Sequence, residues 1–125
     1  LNIRKKLVQA VVVVGLLGAV PSMAFADTAE TGATGGWIEG EGYFTNSLTK
    51  AKAYHKGWKE SGGGGYRAVG ETTWKGTNHY TRAQMYSRLT GKVCADSYRK
   101  WGTGFTRAAT NYTKQCSSAR TFYGR

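Results

Sequence analysis

The chain has 125 residues, with 18 Lys or Arg against seven Asp or Glu, a formal net charge of +11. That length holds one domain with a thin core and excludes a multidomain assembly, while the charge directs the chain to anionic partners and says nothing about its fold. Eighteen Gly, eight Tyr and four Trp favour strands and turns over helices.

Residues 1–26 read as a secretory signal peptide. Arg4, Lys5 and Lys6 form a positive start, Leu7 to Val20 form an apolar run, and Ala24-Phe25-Ala26 supplies the small residues of a cleavage site. The apolar run falls short of the roughly 20 residues that span a bilayer, so cleavage after Ala26 and an extracellular, secreted domain are expected. Residues 27–36 (DTAETGATGG) hold nothing apolar larger than Ala and read as a disordered acidic leader. Residues 37–125 then form the β domain.

From Trp37 onward the apolar pattern has period two. Lys50, Lys52 and Tyr54 alternate with Ala51, Ala53 and His55; Arg67, Val69 and Glu71 alternate with Ala68, Gly70 and Thr72. Asn78 to Leu89 continues the alternation, setting Tyr80, Arg82, Gln84, Tyr86 and Arg88 on one side and Thr81, Ala83 and Met85 on the other. A turn at Thr90-Gly91 precedes further strands at Lys92–Lys100, Thr103–Thr110 and Ala119–Tyr123, and Ser61–Gly65 (SGGGG) reads as a flexible or wide loop. About seven short strands predict an all-β fold, a small antiparallel β-sandwich or barrel. Thr81-Arg82-Ala83 and Thr106-Arg107-Ala108 repeat one unit, which places a cation on one sheet face and small residues on the other.

Cys94 and Cys116 are the two cysteines, and in an exported chain they predict one disulfide rather than a metal site. No cofactor is expected. Catalysis is poorly supported: there is no G-x-S-x-G elbow, and His55 and His79 have no nucleophile and acid at a recognisable spacing. Glu39 and Glu41 would share a strand face about 7 Å apart, near a two-carboxylate glycosidase spacing, yet in a Gly-rich segment without an evident cleft. Gly65 to Gly70 mimics a phosphate loop but is followed by Glu71 where that loop needs a lysine.

Aromatics interleaved with bases carry the most functional content. Gly42 to Arg125 holds 15 bases against Glu60, Glu71 and Asp96. Tyr80, Arg82, Tyr86 and Arg88, with Tyr98 and Trp101 on a neighbouring strand and Arg107 beyond, form a candidate binding face that joins flat rings to fixed cations. The face is expected to point outward, because its arginines would be costly inside.

Two ends of the chain carry a resemblance. Trp37-Ile38-Glu39-Gly40-Glu41-Gly42 is followed by Thr90-Gly91, Asp96-Ser97-x-Arg99 with Trp101, Ala109-Thr110, and Ala119 ahead of Phe122-Tyr123. This order is similar to that of lactococcin 972-type bacteriocins, small secreted all-β proteins of Gram-positive bacteria. The resemblance implies a β-sandwich toxin acting at cell-wall synthesis in related bacteria. Its expected partner is an anionic bacterial envelope component: a lipid-linked wall precursor, teichoic acid or an anionic lipid, with no dedicated nucleic-acid partner. The competing expectation is a cell-wall or carbohydrate-binding accessory domain without toxicity.

Overall fold

One strand of 22 residues, Gly65–Tyr86, organises the molecule. The structure is a computed structural model and describes residues 32–45 and 52–125. Residues 1–31, on which the expected signal peptide and most of the expected leader fall, and residues 46–51, including Lys50 and Ala51 of the first predicted strand, lie outside the described residues. The strands in chain order are β1 (Gly35–Ile38), β2 (Gly42–Thr45), β3 (Tyr54–Gly62), β4 (Gly65–Tyr86), β5 (Val93–Asp96), β6 (Lys100–Ala109) and β7 (Ser118–Gly124). They form one curled sheet in the order β2-β1-β7-β4-β3, with β5 and β6 on the opposite edge of β4. The all-β expectation and the strand number hold among the described residues. The leader is shorter than composition predicts, because Gly35 and Gly36 already pair with Tyr123 and Phe122.

The two predicted strands at Arg67–Thr72 and Asn78–Leu89 are one strand. Between Trp74 and Asn78 the register against β6 shifts: Trp74 lies opposite Gly104 and Asn78 opposite Thr103. The three extra residues bend β4 and exchange the side-chain parity. Ala68, Gly70, Thr72 and Trp74 therefore face inward before the bulge, and His79, Thr81, Ala83 and Met85 after it, all of them buried. The bend curls the sheet until β3 faces β7. His55 of β3 then stacks on Tyr123 of β7 at 4.8 Å, an approach that Gly57 permits: a Cβ there would stand 2.5 Å from Thr121 Oγ1 and 2.9 Å from Trp37.

Ser61–Gly65 is not a wide loop. Gly62 pairs with Gly65, and Gly63 and Gly64, at φ 57° and 80°, make the two-residue hairpin turn that needs left-handed backbone at both positions. Gly65 to Gly70, whose glycine spacing mimics a phosphate loop, is instead the start of strand β4, with Tyr66 bridged to Thr113. The predicted turn near Thr90-Gly91 is present, closed by Gly91 N–H donating to Ser87 O at 2.7 Å.

The interior has two parts. Ala68, Ala83, Met85, Ala108, Cys116 and Ala119 form an apolar cluster with Trp37, Cys94 and Ala95 packed against it, and the Cys94–Cys116 disulfide closes it with a Cα separation of 6.0 Å. Beside it lies a polar file. Thr106 and Thr81 hydroxyls bond at 2.6 Å, Thr81 donates to Thr72 Oγ1 at 2.7 Å, and His55 bonds Thr72 Oγ1 through Nδ1 at 2.8 Å and Thr121 Oγ1 through Nε2 at 2.7 Å. Because Thr81 donates to Thr72, the Thr72 proton is free to go to Nδ1, leaving Nε2–H to donate to Thr121. This arrangement fits neutral imidazole, and burial lowers the His55 pKa to about 4.

Along the edge of β3 that pairs with no other strand among the described residues, alternate residues aim their backbone groups away from β4. The hairpin fixes which: Gly62 bonds across to Gly65, so Ser61, Lys59, Gly57 and His55 face outward along the edge. Tyr43 of β2 fills the middle of that edge. Its hydroxyl accepts from Gly57 N–H at 3.2 Å and lies 3.4 Å from Gly57 O.

Candidate functional site

The bulge in β4 turns Tyr80, Arg82, Gln84 and Tyr86 to the face opposite the Thr/Ala interior. Across β7, Arg82 lies opposite Phe122 and Gln84 opposite Arg120, while Tyr80 lies opposite Trp101 of β6. Thr81, Ala83 and Met85 are fully buried on the inner side, as the alternation predicts.

A ladder of rings and guanidinium groups covers this face. The Tyr80 and Trp101 rings are 5.1 Å apart, and Arg99 lies 4.4 Å over Tyr80. Arg82 lies 5.6 Å over Tyr98, and Arg120 lies 4.2 Å over Tyr86 and 5.7 Å over Phe122. Guanidinium groups favour ring faces because the π quadrupole is negative there.

Asp96 ties the ladder together. Arg82 grips it with both arms, Nε to Oδ1 at 2.9 Å and Nη2 to Oδ2 at 2.5 Å. Tyr98 N–H adds a bond to Oδ1 at 2.8 Å and Gln84 Nε2 one to Oδ2 at 3.1 Å. Burial pushes the Asp96 carboxyl up, but these donors outweigh it and hold the carboxyl below its ordinary range. Gln84 also accepts from Arg120 Nε at 2.9 Å, so a neutral amide joins the two ends of the network. Burial pushes the Tyr80 hydroxyl up to about 12 and lowers the Arg120 guanidinium below its usual range, so the tyrosine stays protonated at neutral pH.

Tyr98 has φ 59°, left-handed backbone that a residue with a Cβ adopts at a cost of order 1 kcal/mol or more. It is held there from both sides. Its N–H is taken by Asp96, and its carbonyl accepts from Ser97 Oγ at 2.8 Å, while Ser97 Oγ itself accepts from Ala83 N–H at 2.8 Å. The strained backbone presents an aromatic ring to solvent, since Tyr98 is 68 % exposed.

Most of the residues predicted for the site come together here, with three corrections. Tyr80 and Tyr86 do not form the open platform that an outward face implies, being 2 % and 7 % exposed; the solvent-facing rings are Tyr98 and Trp101. Arg107 belongs to another part of the sheet. It lies opposite Glu71 before the bulge, with Nε 3.3 Å from that carboxylate, and Lys56 flanks the same Glu71 at 4.0 Å. Arg88 sits in the turn after β4 and donates to Glu39 O. Sequence reasoning missed Arg99, Gln84 as a linker, and above all Arg120. The signal was available: Arg120 and Phe122 alternate with Ala119 and Thr121 in a strand otherwise made of small and apolar residues.

The catalytic alternatives find other roles. Glu39 and Glu41 are not two positions of a strand but the turn between β1 and β2, closed by Glu41 N–H donating to Ile38 O at 2.9 Å. Glu39 is engaged by Lys59 Nζ at 2.8 Å and by Ala119 N–H at 3.0 Å. Burial raises the Glu41 carboxyl, with Arg88 opposing. His79 is fully buried, with Nδ1 2.9 Å from Thr77 O and Nε2 3.2 Å from Thr72 O. Among the described residues no three His, Cys, Asp or Glu side chains group as a metal site.

Comparison with family models, with curated proteins and with solved structures finds no match for this chain.

Proposed function

We propose that this chain is a secreted, non-enzymatic, bacteriocin-like protein that binds an anionic component of the bacterial envelope and thereby interferes with cell-wall synthesis. The observation that carries this reading is the exposed edge of the ladder, where Arg99 lies over the Tyr80 ring beside the open Tyr98 and Trp101 rings and Arg82 is held by Asp96. Such a surface holds an anion through charge-assisted hydrogen bonds and its apolar or sugar part through ring faces. The signal-like residues 1–26, the net charge of +11 and the resemblance to lactococcin 972-type proteins point the same way.

Purified, oxidised protein added to growing Gram-positive strains, and co-sedimented with their isolated envelopes at low and high salt, tests the proposal. Growth inhibition and binding that falls steeply with salt are expected, since exposed charges are screened over about 8 Å at physiological ionic strength. Absence of both, or binding flat in salt, refutes it.

A second reading, a carbohydrate-binding accessory domain, has its own observation. On the outer side of β3, β4 and β6, Tyr54 and Phe105 both lie opposite Thr73 and are 64 % and 55 % exposed. Open rings either side of a small hydroxyl residue suit a flat sugar. Binding to insoluble peptidoglycan that persists at high salt without killing selects this reading.

A further inference from the structure

The stretch between β5 and β6 breaks the strand alternation. Gln84 lies opposite Asp96 and Thr81 opposite Lys100, so Arg82 and Ala83 of β4 face three residues, Ser97, Tyr98 and Arg99. Ser97 N–H donates to Ala83 O at 2.9 Å, which sets Ser97 against Ala83 and leaves Tyr98 and Arg99 together against Arg82. This is a β-bulge, with left-handed Tyr98 at the position that glycine ordinarily takes.

The bulge decides which side chains reach the ring-and-arginine face. In a regular strand running on from Asp96, Tyr98 and Lys100 would stand on that face, and Arg99 and Trp101 would turn toward the Thr/Ala interior. With the extra residue, Tyr98, Arg99 and Trp101 all reach it: Tyr98 beside Arg82, Arg99 over Tyr80, and Trp101 against Tyr80. Tyr98, Arg99, Lys100 and Trp101 are exposed in succession, the two rings at 68 % and 50 %. They carry two cations and no acid. Asp96 just before them is already taken by Arg82, Gln84 and the Tyr98 N–H.

We infer that this bulge is an interfacial anchor that seats the ring-and-arginine face on an anionic lipid bilayer, with Tyr98 and Trp101 among the headgroups and Arg99 and Lys100 against the lipid phosphates. Tyr and Trp rings, apolar in body and polar at one edge, suit the boundary between headgroups and acyl chains, and each cation near an anionic surface adds to the attraction. The contact is made by side chains that already stand in water. A soluble anion would engage the cations and leave both rings wet, a neutral glycan would leave the cations unused, and a second copy would bring like charge to like. The strain at Tyr98 then has a use, because glycine there would keep the bulge and lose a ring. The inference rests on the envelope-binding reading and commits it to membrane lipid as the component bound.

Co-sedimentation with vesicles of phosphatidylcholine, and of phosphatidylcholine mixed equally with phosphatidylglycerol, tests it. Of the four Trp, Trp101 alone is exposed, so its fluorescence, with lipids brominated on the acyl chain as quenchers, reports whether the ring enters the bilayer. The parent is expected to bind the mixed vesicles at least tenfold more tightly than the neutral ones, with quenching. Tyr98→Gly combined with Trp101→Thr is expected to weaken binding to the mixed vesicles at least tenfold, and Arg99→Gln combined with Lys100→Gln to do the same while keeping both rings. Leu89→Ser, which removes a side chain that is 96 % exposed elsewhere, is expected to bind as the parent does.

Equal binding to the two vesicles, parent-like binding by the ring variant, a larger loss from Leu89→Ser than from that variant, or full competition by glycerol 3-phosphate, a headgroup without chains, overturns the inference. Should the ring variant fail to fold, the Arg99→Gln and Lys100→Gln variant is read instead, and parent-like binding by it overturns the inference equally. If the protein enters mixed vesicles through Trp101 but does not inhibit growth, the reading of interference with wall synthesis fails and this inference stands. Binding to lipid-extracted envelopes without binding to vesicles gives the converse.

Discussion

Acidification from pH 7 to pH 5 is expected to remove about 2 kcal/mol of folding stability through His55 alone. The folded protein holds this imidazole neutral, with its pKa lowered to about 4 by burial, whereas in the unfolded chain it titrates near its ordinary value of about 6.5. Between these values the unfolded state binds a proton that the folded state refuses, so stability rises with pH there. The contribution is intact above the unfolded value, falls as pH drops toward 4, and levels below it. The full difference is about 3 kcal/mol, at about 1.4 kcal/mol per unit, and most of it has gone by pH 5. Urea denaturation at pH 7 and pH 5 measures the change, with His55→Gln as reference. The variant starts less stable at pH 7, because Thr72 and Thr121 lose a well-placed partner, but its stability is expected to vary less with pH than the parent's by about 2 kcal/mol. A parent protein with the same midpoint at both pH values, or a variant as pH-sensitive as the parent, would falsify the neutral assignment.

Three other outcomes are expected. Reduction of Cys94–Cys116 is expected to lower stability by roughly 3 kcal/mol in the chain-entropy account, read as a drop in melting temperature with reductant; an unchanged melt refutes it. Asp96→Asn removes the charge that Arg82, Gln84 and Tyr98 N–H converge on. It is expected to cost about 2 kcal/mol in chemical denaturation, and a variant as stable as the parent would show the network to be surface decoration. Tyr98→Gly relieves the left-handed backbone at φ 59° while removing an exposed ring, so it is expected to change stability by no more than about 1 kcal/mol and to weaken envelope binding; full binding would mean that the strain serves no contact.

Fold class, disulfide and the turn at Thr90-Gly91 were legible because each rests on local chemistry: alternation, compartment and turn residues. The long strand was not, because its bulge lies in Trp74–Asn78, where parity reverses and two regular patterns look like two separate strands. SGGGG misled for a related reason, since a glycine run signals freedom of backbone and does not say whether the freedom is spent on a loop or on a tight hairpin. At the candidate site, alternation placed Tyr80, Arg82 and Tyr86 on one face and Thr81, Ala83 and Met85 on the other. It could not place Arg107, which sits on the same long strand pairing but on the other side of the bend, nor tell a stacked, buried tyrosine from an exposed one. Arg120 escaped because a lone cation in a short strand reads as solvated charge until its neighbours across the sheet are known.

The position of Tyr43 bears on how this chain behaves when many copies meet. A free sheet edge invites another strand to add to it, which is how small β proteins begin to assemble into fibrils. At the centre of the β3 edge, the Gly57 N–H and C=O are already engaged by the Tyr43 hydroxyl, so an incoming strand meets a phenol ring where it needs an open amide. The resistance comes from one oxygen atom. Tyr43→Phe keeps the ring yet reopens those two backbone groups, making the β3 edge the place where concentrated protein would first stick to itself.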